Sequence, residues 1–481
     1  MGAVDDSIPA LIVAATHSGA GKTTATATIV GALRDAGLRV QPFKLGPDFI
    51  DGAYLAEAAG RPAVNLDLWM MGEEGVRSSF EHWAADADVA VIEAMGALYD
   101  GADGGPDGSA AAMATLLGVP VVVVLDVWGM TRTAGALMLG LREFDPAAPI
   151  AGFLLNRVGS EAHREMIEAG LPEEMRQRVV GAIAADEGLR VPERHLGLLT
   201  VEENPGVARR REEARRRAAR GLDVARLRAL AERAGRRESP PAVEAAVAAA
   251  VEAGRPTPGA AEPRASGAPR ARLAIARDPA FCFYYEDNLR LLAEAGFELL
   301  PFRPTADPSL PAGTDAVYLG GGYPESFAAE LGANAALAGE LRRRAAAGMP
   351  IYAECGGLLY LGRSLTDFDG RRHAMSGVLP FDAAMDPAHL AIAYVEVRLT
   401  RDSLLGPAGT IARGQEFHQS RIVAADDLPE PYELTTSGGD RRAEGFVKGN
   451  VLGSYVHLHL ASNPALAGNL LRSALAVRPN D

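Results

Sequence analysis

Five short aliphatic runs in the first third of the chain alternate with segments of helical composition, and no other feature restricts the fold so tightly. They are ALIVAA (10–15), LRVQPFK (38–44), ADVAVIEA (87–94), GVPVVVVLD (118–126) and PIAGFLLN (149–156). Runs this short that are apolar at successive positions read as strands buried on both faces, and helices between them make the sheet mostly parallel. The rhythm restarts at ARLAIARD (271–278) and continues through NLRLLAEAGFELLPF, TDAVYLGGG and PIYAECGG (350–357). Two doubly wound α/β domains with mostly parallel sheets are expected, with ligands beyond the carboxyl ends of the strands. The first takes residues 1–237, an Ala/Pro/Gly-rich linker takes 238–270, and the second takes 271–481.

A chain of 481 residues is long enough for two such cores. Its 62 acidic against 48 basic residues give a formal charge of −14, which argues against a general nucleic-acid binder with its basic footprint. Arginine is nevertheless concentrated at 206–237, with 12 Arg against 4 acids. Aromatic residues for base stacking are missing there, so the segment reads as a solvated helical face with Val224, Leu227, Leu230 and Ala231 on its apolar side. Two cysteines, Cys282 and Cys355, exclude a disulfide framework or a cysteine zinc site. The longest apolar run, VPVVVVL at 119–125, falls far short of the roughly 20 residues that span a bilayer. Asp5 and Asp6 stand where a secretion signal carries positive charge. The expectation is a cytoplasmic protein without nucleic-acid or membrane partners, with a homodimer left open.

Directly after the first run come Thr16, His17, Ser18, Gly19, Ala20, Gly21, Lys22, Thr23 and Thr24, and then a helical stretch. Strand, glycine loop, Gly-Lys-Thr and helix present backbone N–H groups to phosphate, with Lys22 as point charge and Thr23 on magnesium. Lys44 stands at the end of the next strand as a candidate phosphate contact, with Asp48 or Asp51 as a magnesium or substrate group. Glu93 ends a buried run, where magnesium in a phosphate-loop enzyme requires an acid. Asp100 is equally at home as turn former or site residue. Asn156, at the end of PIAGFLLN, is a candidate for pairing with a purine edge or a plain strand-end cap.

In the second domain, Cys355 lies between a short strand and a helix and is followed by Gly356 and Gly357. That is the arrangement of a nucleophile elbow. Backbone N–H groups of Gly356 and of the loop Gly320, Gly321 and Gly322 could form an oxyanion hole. His457 and His459 alternate on a strand-like segment, so both would face one side and offer the base. Nothing around His373, His389 or His418 suggests a base on a rigid strand, and Cys282 reads as a packed core thiol.

Taken in order, ATHSGAGKTT, FKLGPDFIDGAY, VIEAMGALYDG, LLNRVGS, VPERHLGL, YLGGGYPE, YAECGGLLYL, QEFHQS and GSYVHLHL resemble the cobyrinate and hydrogenobyrinate a,c-diamide synthases of vitamin B12 biosynthesis. The resemblance covers nearly the whole chain except about 205–270. It implies an ATP- and glutamine-dependent ligase with Mg2+, which amidates the a and c carboxylates of a corrinoid through acyl phosphates. It further implies Cys355 as nucleophile and His457 as its partner, in a dyad with no third member assigned. Thr16, Ser18, Gly19, Ala20, Gly21, Lys22, Thr23 and Thr24 would carry ATP. Lys44, Asp48 and Glu93 fall on the phosphate and metal positions of the related dethiobiotin synthetases. Asp48, Phe49, Ile50, Glu93 and Asp100 fall on positions tied to catalysis or intermediate handling, and Glu416 and His418 on ones that contact the corrinoid. Two sister amidases, cobyric acid synthase and nickel-sirohydrochlorin a,c-diamide synthase, share both domains. A ParA- or MinD-like ATPase switch is the alternative from another class and has no use for Cys355.

Overall fold

In the computed structural model, which describes residues 8–101, 104–189, 205–234 and 270–477, the five aliphatic runs all become strands. The chain divides into two units, Met1–Thr257 and Pro258–Asp481. Most of the expected linker and the VPERHLGL motif lie outside the described residues.

The first unit is one parallel sheet of β1 (Ala10–Ala15), β2 (Val40–Leu45), β3 (Val64–Leu66), β4 (Val89–Glu93), β5 (Val121–Asp126), β6 (Ile150–Val158) and β7 (Val179–Ala184). Its order is β3-β2-β4-β1-β5-β6-β7, so the connections change direction around β1. A crevice opens at such a switch point. Register decides what meets there: Lys44 pairs with Glu93, and Asp126 with Asn156, at the carboxyl ends. Helix α1 (Lys22–Asp35) packs Ile29 and Leu33 against Leu11, Val13 and Val91.

The arginine-rich segment forms helices Pro205–Ala219 and Val224–Ala231, with Leu227, Leu230 and Ala231 buried. The expectation of a solvated face holds for Arg209, Arg216 and Arg217, which are exposed, but needs correction for two others. Arg215 is buried, and its guanidinium fills the space where a side chain on Gly31 of α1 would stand. Arg211 lies 4.7 Å over the Tyr54 ring and pairs with Glu57 at 3.2 Å. Half of an arginine's bulk is apolar stem, so such a helix can dock through its arginines.

In the second unit, β8 (Ala271–Ala276), β9 (Phe297–Phe302), β10 (Ala316–Leu319) and β11 (Ile351–Glu354) join Val451–Ser454 in a parallel sheet with one antiparallel edge, Phe446–Lys448. Two further sheets of four and five strands, largely antiparallel, come from residues 364–458. They carry Glu416, His418 and His457 to the parallel sheet's neighbourhood. Among the described residues, no helix is long and apolar enough to cross a membrane.

Candidate functional site

The loop from β1 to α1 turns through Gly19 (φ 83°) and Gly21 (φ 89°), conformations that side-chain-bearing residues adopt only under strain. Three side chains hold it. The Thr23 hydroxyl donates to Glu93 Oε1 (3.0 Å), Asn156 Nδ2 donates to the Ala20 carbonyl (2.8 Å), and Arg157 Nη2 donates to the Gly19 carbonyl (3.0 Å). Arg157 itself has φ 59° and pairs with Asp126 at 2.6 Å. A strained non-glycine residue beside a ligand loop is a functional signal that the sequence does not display.

Lys44 is buried at the centre of an acidic cluster. Its Nζ donates to Asp51 Oδ2 and Glu93 Oε1 (both 2.8 Å) and to the Ala94 carbonyl (3.3 Å), with Asp48 Oδ2 at 3.6 Å. Burial alone would lower its pKa, but the carboxylates hold it above the ordinary lysine value. Burial pushes Glu93 up to about 7 against the pull of Lys44. All three ammonium donors are engaged, so Lys44 here neutralises carboxylates rather than offering a spare donor to phosphate. Asp48 Oδ1 accepts from the Ile50 (2.7 Å) and Asp51 (3.2 Å) amides and so starts helix α2 (Ile50–Ala59), for which Phe49 is the N-cap.

These groups border an open cavity of about 850 Å³ that Ser18, Lys22, Thr23, Asp51, Asn156 and Trp128 help to line. The volume suits a nucleotide-sized ligand. Trp128 is 67% exposed and Met95 47% exposed, both on this cavity; Met95 lies within VIEAMGALYDG, whereas no motif marks Trp128 in the sequence. Thr16 turns its hydroxyl to His17 Nδ1 (2.9 Å), and Asp100 is exposed in a turn; neither lines the cavity.

The second constellation centres on Cys355, whose φ of 46° and ψ of −103° make the turn between β11 and helix Gly356–Leu361 a strained elbow. Its Sγ lies 3.8 Å from the Phe417 carbonyl. Burial pushes the thiol up to about 12, Glu325, Glu354 and Glu416 add to this, and the Gly356 N–H opposes it. His457 is also buried, which pushes it down to about 3. The glycines bring these parts together. A methyl on Gly321 would fall 2.3 Å from His457 Cε1, and one on Gly356 would fall 3.0 Å from the Gly322 nitrogen. The Gly320 N–H donates to the Tyr284 hydroxyl (2.8 Å), which fixes the loop.

His459 departs from expectation: it does not share a site with His457, because the strand there is only His457–Leu458 and the His459 ring packs 4.7 Å from Tyr285. Glu416 and His418 flank Phe417 near the cysteine. Glu416 is buried and paired with Arg442, while His418 bonds the Ser420 carbonyl (2.9 Å) and stacks on Tyr455. Cys282 is half-buried rather than the packed core thiol expected, and it precedes Phe283, whose amide donates to the Gly321 carbonyl and whose ring lies 6.5 Å from that of His457.

Residues 11–199 match the CobQ/CobB/MinD/ParA nucleotide binding domain, and residues 272–465 match the CobB/CobQ-like glutamine amidotransferase domain. Over 466 residues the chain is 41% identical to the cobyrinate a,c-diamide synthase of Syntrophotalea carbinolica, which spans 96% of this chain and 97% of that one. The hydrogenobyrinate a,c-diamide synthase of Stutzerimonas stutzeri is 41% identical over 470 residues, 96% and 98% of the two chains. The Dehalococcoides mccartyi cobyrinate a,c-diamide synthase is 38% identical over 468 residues, again 96% and 98%. The chain belongs to the a,c-diamide synthase family.

As a member of this family it is a glutamine-dependent amidating ligase with a nucleotide-binding domain. One residue of this chain escapes sequence reasoning although a signal for it exists. Glu354 ends the buried run PIYAE as Glu93 ends VAVIE, and both are almost fully enclosed. Buried acids at strand ends are rare enough to demand a partner.

Proposed function

We propose that this chain amidates the a and c side-chain carboxylates of a corrinoid acid, hydrogenobyrinate or cobyrinate, using ATP, Mg2+ and glutamine in the cytoplasm. One observation carries the reading: relatives named for these two substrates match 96% of the chain, across both units. In the first unit a substrate carboxylate oxygen attacks the ATP γ-phosphorus and ADP leaves; ammonia then attacks the acyl phosphate carbon and phosphate leaves. Lys22 and the loop amides hold the phosphates, and Lys44 offsets the charge of the acidic cluster, pulling against the burial that raises Glu93. Glu93 Oε2 is buried with no hydrogen-bond partner, and with the Thr23 hydroxyl and Asp48 it forms a set of hard oxygen donors. Among the described residues no three His, Cys, Asp or Glu side chains form a metal cage. Mg2+ would complete its shell with substrate phosphates and water. When bound it would neutralise phosphate charge.

In the second unit the Cys355 thiolate adds to the side-chain amide carbon of glutamine, and ammonia leaves with the proton that His457 took from the thiol. Water then frees glutamate from the thioester. The amides of Gly356 and the Gly321–Gly322 loop serve the oxyanion. The test is mass gain on both corrinoid acids with ATP and glutamine. Two amidations are expected, and no gain on either ring with any nitrogen source overturns the assignment. Gly321→Ala is expected to cut glutamine-dependent turnover by about 100-fold, because its methyl would displace the His457 ring, with ammonia-dependent turnover retained. Steady-state assays with each nitrogen source check this.

A further inference from the structure

The Glu354 carboxylate is filled from three sides. Tyr318 donates its hydroxyl to Oε2 (2.7 Å), while the Tyr352 hydroxyl (2.6 Å) and the Leu458 amide (3.0 Å) donate to Oε1. Burial pushes Glu354 up to about 7, and the three donors, with no acceptor among these partners, oppose that by favouring the ionised carboxylate, which can only accept. Burial raises both phenols well above their ordinary values, so they stay protonated and keep donating. The cost of holding this charge with 1% exposure is large and calls for a cationic counterpart. A group able to become one is His457, whose Nδ1 lies 3.9 Å from Oε2. His418 disfavours the charged form of His457, as burial does. A buried imidazole under those influences is a weak base unless a carboxylate stands behind it.

We propose that Glu354 is a positioning residue for the glutaminase step, acting through His457. Its carboxylate takes a hydrogen bond from Nδ1–H, which leaves Nε2 as the acceptor for the thiol proton. The imidazolium that results is then stabilised where it forms. The S–H electron pair stays on sulfur, and the proton passes from Sγ to Nε2 and onward to the departing ammonia. The remaining gap of about 1 Å closes as the substrate fills the site, since such contacts are often long in unliganded enzymes. Glu354 thereby supplies the third member of the dyad from the residue before the nucleophile, leaving His459 to its contact with Tyr285.

The inference rests on the Cys355–His457 reading, and the experiment separates the two. Glu354→Gln keeps the size of the side chain and removes the charge. Its kcat for glutamine hydrolysis is expected to fall by about 100-fold, with KM for glutamine and ammonia-dependent amidation both within about threefold. In the wild-type protein, nitrogen-15 NMR of labelled histidines should find His457 as the Nδ1–H tautomer. An unchanged kcat, an equal loss with ammonia, or an Nε2–H tautomer overturns the proposal. The tautomer decides it alone if the variant does not fold. Cys355→Ala that still hydrolyses glutamine refutes the underlying reading, whereas an inactive Cys355→Ala beside a fully active Glu354→Gln refutes only this one.

Discussion

Cys355→Ala is expected to lose glutamine-dependent amidation by a factor on the order of 10⁴ or more, while amidation with ammonium salts stays within about threefold of wild type. The first figure follows from chemistry: alanine has no atom that can form the thioester. The second follows from structure. Alanine pays the same cost as cysteine at φ 46°, and it leaves β11 and the following helix with their hydrogen bonds. Removing one buried sulfur creates a small apolar gap and no unpaired charge. Parallel assays with the two nitrogen sources check the split. Retained glutamine use would move the nucleophile elsewhere, and equal loss with ammonia would make Cys355 a structural residue.

Lys44→Met is expected to act in the opposite half of the chemistry, with ATP-dependent amidation reduced on the order of 10³-fold whichever nitrogen source is given. Methionine matches lysine in length and apolar stem, so the change isolates the charge. Glu93 is fully buried, with Asp51 and Asp48 close to the same ammonium, and taking away that cation leaves three carboxylates facing one another. Breaking a buried pair in this way costs about 3–5 kcal/mol, part of which the cluster recovers by binding protons. Thermal unfolding followed by calorimetry should show an earlier transition, with ATP or an unreactive analogue giving less stabilisation than in wild type. A variant with wild-type melting and turnover would mean that the acids balance their charge without Lys44.

What the sequence displays and what it conceals divide along physical lines. The phosphate loop and the cysteine elbow are local: strand, glycines and helix are contiguous, so Gly19, Gly21, Lys22, Cys355 and Gly356 are legible from spacing alone. Long-range pairings are not. Lys44 reads as a phosphate ligand because its register against Glu93, which consumes its donors, is decided by strand order. Glu354 has a readable burial signal, but His457 is more than 100 residues away. The antiparallel sheets are partly legible. The strand Ala391–Leu399 alternates in the manner of a half-buried strand, yet its partners at Ile411–His418 and Tyr432–Thr436 follow from turns that the composition does not specify. Periodicity finds the apolar side of Val224–Ala231. It cannot find the notch at Gly31 that lets Arg215 dock, because that depends on a residue of another helix.

The central place of β1 bears on how the first unit is made. β1, the first strand of this sheet in chain order, is flanked by β4 and β5, so one of its edges waits for a partner until residue 93 and the other until residue 126 has been synthesised. Asn156 and Arg157, which brace the glycine loop, arrive later still. Parallel pairings of such sequence separation make a slow folder with a long-lived, unpaired aliphatic strand. Synthesis rate and temperature should therefore govern the yield of active protein more than equilibrium stability does. A nucleotide that binds only the completed loop would pull late intermediates toward the native sheet by mass action.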